Sequence, residues 1–291
     1  MNKIVLSVNH LGELAHQTLQ KRASGVVSGV ASRGIYLQPD HDLTLYLSLD
    51  GFKGPLTINL TGLQNDIQPG SPVKFYPSRI EFPHEGFFIH LEEAVIWTPP
   101  QPVGDLRHLP GQISTIFELT QRLTTGNEFL PLLEMTLTRD QVSLPGIPGM
   151  DLKLRAIVEK LTSGNLDGLV KSLSQLLGLG PGLTPLGDDL ILGILLTLNR
   201  WGHLLYPGYA FKELNQNLII KAQQETTRLS ASLITCAAAG SADERLILAL
   251  DSFFSPGQLR EEDLQHLLAW GNSSGIAVLA GMLAVVGSFS D

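Results

Sequence analysis

A single cysteine, Cys236, stands among the 291 residues. That excludes an internal disulfide and any metal site built on cysteines. It lies in "ITCAAAG" with no basic group beside it, and reads as a buried packing residue rather than a nucleophile. Positive charge is also scarce: 20 Lys and Arg against 28 Asp and Glu leave a formal net charge of −8. Nucleic acid and anionic membrane both ask for a basic face, so neither is expected as a partner. A small anion is not excluded, because local backbone amides bind one whatever the net charge.

Long apolar runs are missing too. The longest, "SSGIAVLAGMLAVVGSF", falls short of the roughly 20 residues that span a bilayer. The opening "MNKIVLSVNHLGELAHQ" has too short an apolar run to read as a signal peptide. A soluble protein of a reducing compartment, the cytoplasm, is the expectation. The histidines have no His-x-x-x-His spacing and none adjoins the acid pair discussed below, so zinc is not expected. His10 and His16 flank a short helix-like stretch and read as surface or core residues. A hydrolase built on a Gly-x-Ser-x-Gly elbow is not expected.

What is present is a core-forming composition, 43% hydrophobic and 16% charged, in a chain long enough for two domains. The first third is strand-like. "GVVSGVASRGIYLQP", "LTLYLSLD", "PLTINLTG", "PVKFYPSRIEF" and "GFFIHLEEAVIW" are rich in β-branched and aromatic residues, with turns such as "DGFKG" and "PHEG" between them. Such spacing without intervening helices predicts an antiparallel sheet or small barrel. In the first run, Arg33 either pairs with an acid or projects, with Ser28 and Ser32, into a cleft. "TPPQPVGD" is the boundary, since its prolines favour an extended link. The expected organisation is α+β, a β-rich domain over 1–104 and a mainly helical domain over 105–291.

Beyond the boundary the period becomes helical. "GQISTIFELTQRLTTG" closes at Gly126, and "LPGIPGMD" is a second Pro/Gly break. "LKLRAIVEKLTSG", "LDGLVKSLSQLLG", "DDLILGILLTLNRWG", "KELNQNLIIKAQQETTRLSASLITCAAAG", "ADERLILALDSFF", "EEDLQHLLAWG" and "GIAVLAGMLAVVG" follow. Two of these helices are apolar nearly all round and carry an internal glycine, Gly193 and Gly281. Such helices are usually buried, and the glycine permits a close approach of backbones.

Each of these two helices is opened by a small-residue loop. In "GLGPGLTPLGDDLILG", Gly180, Gly182 and Gly187 let a ligand or a neighbouring backbone come close, while Pro181 and Pro185 stiffen the turn. Thr184 is the candidate N-cap, with Pro185 at the first helical position. The helix end offers amides and a dipole to an anion. Asp188 and Asp189 compete with that anion unless a cation such as Mg²⁺ lies between. Two readings stand: a ligand pocket, or a rigid turn whose acids cap a buried helix. It is neither a Walker loop nor a dinucleotide fingerprint. In "ETTRLSASLI", Thr226, Thr227, Arg228 and Ser230 fall within one helical turn. Thr227 and Ser230 would share a face, and Arg228 could clamp an oxyanion; the alternative is a polar helix surface. "WGNSSG" stops one helix and caps the next at Ser273 or Ser274, either as plain capping or as a second donor set with Gly275.

Together these three loops resemble a bacterial family found with anaerobic allantoin breakdown, which includes a subunit of oxamate carbamoyltransferase. "GPLTINL" and "WTPP" extend the resemblance into the β-rich front. The family pattern commonly has a serine at Leu186, a histidine at Asn272 and a polar residue near Ala277. Those departures point to a different substrate or to chemistry in a partner subunit. The resemblance implies a transferase, with oxalurate phosphorolysed to oxamate and carbamoyl phosphate or the reverse. Gly180, Gly182 and Thr184 would contact an anion, and Arg228 a carboxylate or phosphate. Ser273 and Ser274 would donate hydroxyls. Asp188 and Asp189 would orient an amide nitrogen or hold Mg²⁺. Partner subunits of a carbamoyltransferase complex are implied. The rival reading is a non-catalytic anion-binding or assembly subunit. The apolar last helix raises homo-oligomerisation, which core burial explains equally well.

Overall fold

Apolar and polar side chains alternate in "PVKFY" and "RIEF", and both segments run as strands with one buried face. A computed structural model describes residues 5–21, 23–40, 42–62, 67–107, 109–124, 128–138, 147, 149–255 and 259–289. The chain divides into two units, Met1–Pro100 and Gln101–Asp291. That division falls inside the proline stretch Thr98–Asp105.

The first unit holds β1 (Val5–Gly12), α1 (Glu13–Leu19), β2 (Ser24–Ala31), β3 (Gly34–Pro39), β4 (Leu45–Ser48), β5 (Thr57–Leu60), β6 (Pro72–Tyr76), β7 (Arg79–Phe82), β8 (Phe87–His90) and β9 (Val95–Trp97). The strands β1 to β8 close into a barrel in the order β5-β4-β3-β2-β6-β7-β8-β1, with β1 returning to β5. Ile35, Leu47, Ile58, Phe75, Ile80 and Ile89 are among its buried side chains. The sheet is not uniformly antiparallel: within the barrel β1–β8 and β4–β5 run parallel, and β9 joins β1 parallel. Alternation reports which face is buried and carries no signal for the direction of a neighbour. β1, absent from the runs read as strands, has an irregular register between Val8 and His10. A bulge of that kind breaks the period of two by which strands are read. Ser32 and Arg33 form the turn between β2 and β3, and Arg33 pairs with Asp50 at 3.5 Å, the acid partner among its expected roles.

The second unit is helical: α2 (Leu109–Leu123), α3 (Leu130–Thr138), α4 (Met150–Thr162), α5 (Leu169–Ser174), α6 (Leu186–Leu205), α7 (Lys212–Glu225), α8 (Arg228–Ala238), α9 (Glu244–Ser252), α10 (Glu261–Leu268) and α11 (Ser274–Val286), with a 3-10 turn at Gly287–Phe289. Gly126, and Leu144, Pro145, Gly146 and Pro148 of the "LPGIPGMD" break, lie outside the described residues. Every residue of α11 is buried, and so is nearly all of α6. Each buried Leu, Ile or Val here contributes about 1.5–3 kcal/mol. The apolar face that raised self-association is therefore occupied by the core. The two helices meet at their internal glycines, the Cα of Gly193 lying 3.1 Å from where a Cβ on Gly281 would stand. No helix among the described residues is long and apolar enough to cross a membrane. Cys236 is buried, and burial pushes its thiol up to about 12, as a packing residue requires.

Candidate functional site

The segment from Lys212 to Gly240 does not form the single helix its periodicity predicts. Two adjacent threonines break it. Thr226 is extended, ending α7, and Thr227 caps α8, its hydroxyl accepting from the Ser230 N–H at 3.0 Å. β-branched hydroxyl residues favour such a cap over a helix interior. Thr227 and Ser230 are thus related as cap to first turn rather than as neighbours on one helix face. The break frees Thr226 to reach another element, which the periodic pattern could not show.

That element is the start of α6. Pro185, extended, is its N-cap, and the Thr184 side chain does not cap it. Thr184 instead hydrogen-bonds Ser274, the first residue of α11, at 3.1 Å. Thr227 donates to the Leu183 carbonyl at 2.7 Å. Asp188 accepts from the Gly178 N–H at 2.9 Å and from the Thr226 hydroxyl. The starts of α6, α8 and α11 therefore converge, bringing together the three loops quoted from the sequence.

The adjacent aspartates have separate tasks, because consecutive helical residues point about 100° apart. Asp188 faces the α7–α8 junction. Asp189 faces α11, near the hydroxyls of Ser274 and Thr184. Both are buried, at 2% and 1% exposure. Burial raises both carboxyls above their ordinary range. For Asp188 the opposing hydrogen bonds from Thr226 and Gly178, and the nearby Ser230 hydroxyl, favour the charge. Asp189 is pushed up to about 8, by burial first and by Asp188 beside it, against the pull of Ser274 and Thr184. Its Oδ2 and the Ser230 Oγ are buried with no hydrogen-bond partner among the described residues. The Ser230 hydroxyl lies close enough to Asp188 to favour its charge without closing a bond of normal geometry.

The glycines divide by role. Gly180 and Gly182 have φ of 109° and 105°, a region an L side chain rarely adopts. The N–H groups of Gly180, Gly182, Leu183, Thr184 and Leu186 make no hydrogen bond among the described residues. Residues 181–183 are exposed. Gly187 and Gly275 have their N–H groups bonded to Leu179 and Trp270 carbonyls, and a Cβ on either would lie within 2.1 Å of a carbonyl oxygen. They permit packing rather than contact with a ligand. Arg228 is exposed and its side chain bonds no described residue. Ser273 is the half-buried N-cap of α11, and its side chain makes no capping bond. Gly271–Gly275 spells Gly-x-Ser-x-Gly, but this turn joins α10 to α11, not a strand to a helix as a nucleophile elbow requires. Leu186 and Ala277 are buried and apolar, and Asn272 is exposed.

A Mg²⁺ ion fits the aspartate pair poorly. Both oxygens of Asp188 already accept protein hydrogen bonds, which leaves fewer lone pairs for a cation that needs octahedral oxygen ligands. Among the described residues no group of three or more His, Cys, Asp or Glu is placed to hold a metal. The raised Asp189 carboxyl keeps its proton more readily than a free one.

That protonation links to stability. The folded chain keeps a proton on Asp189 that the unfolded chain releases near 3.8. The contribution of Asp189 to stability should therefore be complete below about 4 and be lost as pH rises towards 8, by at most about 1.4 kcal/mol per pH unit. Urea unfolding across that window should show the decline, and Asp189→Asn should flatten it; an unchanged slope in the variant would refute the assignment.

No solved structure matches the chain. Residues 176–286, which carry all three loops, match the family model described as oxamate carbamoyltransferase subunit AllH, so the resemblance read from the sequence is borne out over that part of the chain.

Proposed function

We propose that the helical unit binds a small anion bearing an amide, of the oxamate, oxalurate and carbamoyl phosphate class, as a subunit of a carbamoyl-transfer complex. One observation supports this reading: three helix starts converge on a loop in which the N–H groups of Gly180, Gly182, Leu183, Thr184 and Leu186 bond no described residue. Helix N-termini favour negative charge, and unbonded N–H groups give it partners. Gly180, Gly182 and Thr184 supply amides, and Arg228 a planar fork for a carboxylate or phosphate. Asp188 holds the loop to α8, while Asp189 and the α11 start at Ser273 and Ser274 complete the polar wall.

The reaction balances without a redox partner. A phosphate oxygen attacks the terminal carbamoyl carbon of oxalurate, the carbon–nitrogen bond breaks, and the departing nitrogen takes a proton to give oxamate. Donors set in advance around the developing oxyanion lower that barrier. The buried apolar Leu186 and Ala277, where the resemblance implies polar groups, favour a second reading in which this chain binds the anion and a partner performs the chemistry.

Melting of the full chain with oxamate, oxalurate and carbamoyl phosphate, with and without Mg²⁺, tests the shared claim. A ligand at 100 times its Kd should stabilise by about 2.7 kcal/mol, and no shift with any of them overturns it. Phosphorolysis of oxalurate by the isolated chain then separates the readings. Arg228→Ala should weaken each anion roughly tenfold and leave the unliganded melting temperature unchanged; undiminished binding removes Arg228 from the site.

A further inference from the structure

The Thr227 hydroxyl has one proton to give, and it gives it to the protein. Thr227 Oγ1 donates to the Leu183 carbonyl at 2.7 Å and accepts from the Ser230 N–H at 3.0 Å. A hydroxyl carries a single donor, so none is left for an anion. The residue before it is fixed as well. Thr226 donates to Asp188 in the first turn of α6, and Asp188 also accepts from the Gly178 N–H. The α7–α8 junction is thereby tied to the loop at Leu183 and, through Asp188, at Gly178.

The bond to Leu183 acts one residue further on. The Leu183 carbonyl and the Thr184 N–H belong to one peptide unit, which is planar and trans. In such a unit the C=O and the N–H point in opposite directions, so fixing one fixes the other. The Thr184 side chain is held separately, by Ser274 at the start of α11, at 3.1 Å. The peptide is gripped from α8 at its carbonyl and from α11 through the Thr184 hydroxyl. Its N–H nevertheless bonds nothing among the described residues. Two grips on one peptide whose N–H stays free suit a donor kept for an external acceptor.

We infer that Thr227 is a positioning residue: by holding the Leu183 carbonyl it aims the Thr184 N–H at the anion, and it makes no contact with the ligand itself. This rests on the reading above that the loop amides bind an anion. A donor aimed in advance needs no reorganisation when negative charge arrives. Its bond to a charged acceptor is stronger than one between neutral groups. Without the Thr227 hydroxyl the peptide is free to turn, and the exposed Leu183 gives its carbonyl to water. Apart from the lost cap of α8, the cost then falls on anion binding and not on the fold.

Titration calorimetry of the full chain with oxamate tests the assignment. Thr227→Val keeps the shape of the side chain, deletes the hydroxyl, and should weaken oxamate about tenfold. Thr227→Ser keeps a hydroxyl for both bonds and should bind within about twofold of wild type. Asp243→Ala removes the cap of α9; it should lower the melting temperature and leave affinity unchanged, which separates a lost cap from a lost orientation. If Thr227→Val fails to fold, Thr227→Gly decides, because glycine costs a helix cap little. In isotope-labelled wild type the Thr184 amide resonance should shift as oxamate is added. Full affinity without the Thr227 hydroxyl overturns this inference alone. So do equal losses in the valine and serine variants, an equal loss in Asp243→Ala, or a silent Thr184 amide in a wild type that binds. No binding of oxamate by the wild type overturns the anion site and this inference with it.

Discussion

Gly193→Ala should destabilise the helical unit by about 3 kcal/mol, at the upper end of what overpacking a core costs. On an exposed helix the same change would stabilise by roughly 1 kcal/mol, so the sign itself is the test. A Cβ at Gly193 would stand 2.1 Å from the Val278 carbonyl oxygen, and one at Gly281 would stand 2.3 Å from that of Leu190. Neither neighbour is a flexible side chain that could swing away. α6 and α11 would have to separate, and every apolar contact along their shared length would loosen. Both glycines serve one contact, so Gly193→Ala and Gly281→Ala together should cost less than the sum of the two. Urea unfolding of the three variants measures this. The same separation should pull Thr184 from Ser274, now 3.1 Å apart, and weaken oxamate binding in whatever fraction stays folded. A Gly193→Ala protein as stable as wild type would mean that these helices are not in backbone contact.

Asp251→Ala should cost about 3–5 kcal/mol, the usual result of removing one partner from a buried ion pair. The Arg200 side chain is 3% exposed and grips Asp251 through two bonds of 2.6 Å, while the Trp201 indole N–H donates to the same carboxylate at 3.0 Å. Truncating Asp251 removes both carboxylate bonds from a buried cation and the acceptor from an indole donor. Trp201 also stacks on Phe254 with ring centroids 4.2 Å apart, so the disturbance should spread through the α6–α9 contact. Replacing both partners, as Arg200→Met with Asp251→Leu, should be milder than Asp251→Ala alone, because no uncompensated charge remains. A double variant at least as unstable as the single one would refute that account. This cluster belongs to the fold and not to the site, so anion affinity measured on folded protein should not change.

Much of this organisation was legible along the chain. The switch from short β-rich runs to helical periodicity marks two regions, and the all-apolar helices announce their own burial. The loops around Gly180, Arg228 and Ser273 stand out as crowded small-residue turns before such helices. These signals are local or periodic. The strand β1 escaped because its irregular register hides its period. The break at Thr226 and Thr227 escaped because helical periodicity continues on both sides of it. The threonine pair itself was the available signal, since such residues cap helices better than they fill them.

The sequence alone determined an α+β chain with a β-rich front, buried glycine-bearing helices, and acids placed in the first turn of one of them, because propensity and hydrophobic period act over neighbouring residues. Tertiary structure decided the rest: parallel pairings in the barrel, amides left unbonded, and the different fates of Asp188 and Asp189. Those depend on partners distant in sequence, Thr226 for one carboxyl and Ser274 beside the other. A hydrogen bond or its absence, and the burial that holds a proton on Asp189, exist only once those segments have been brought together.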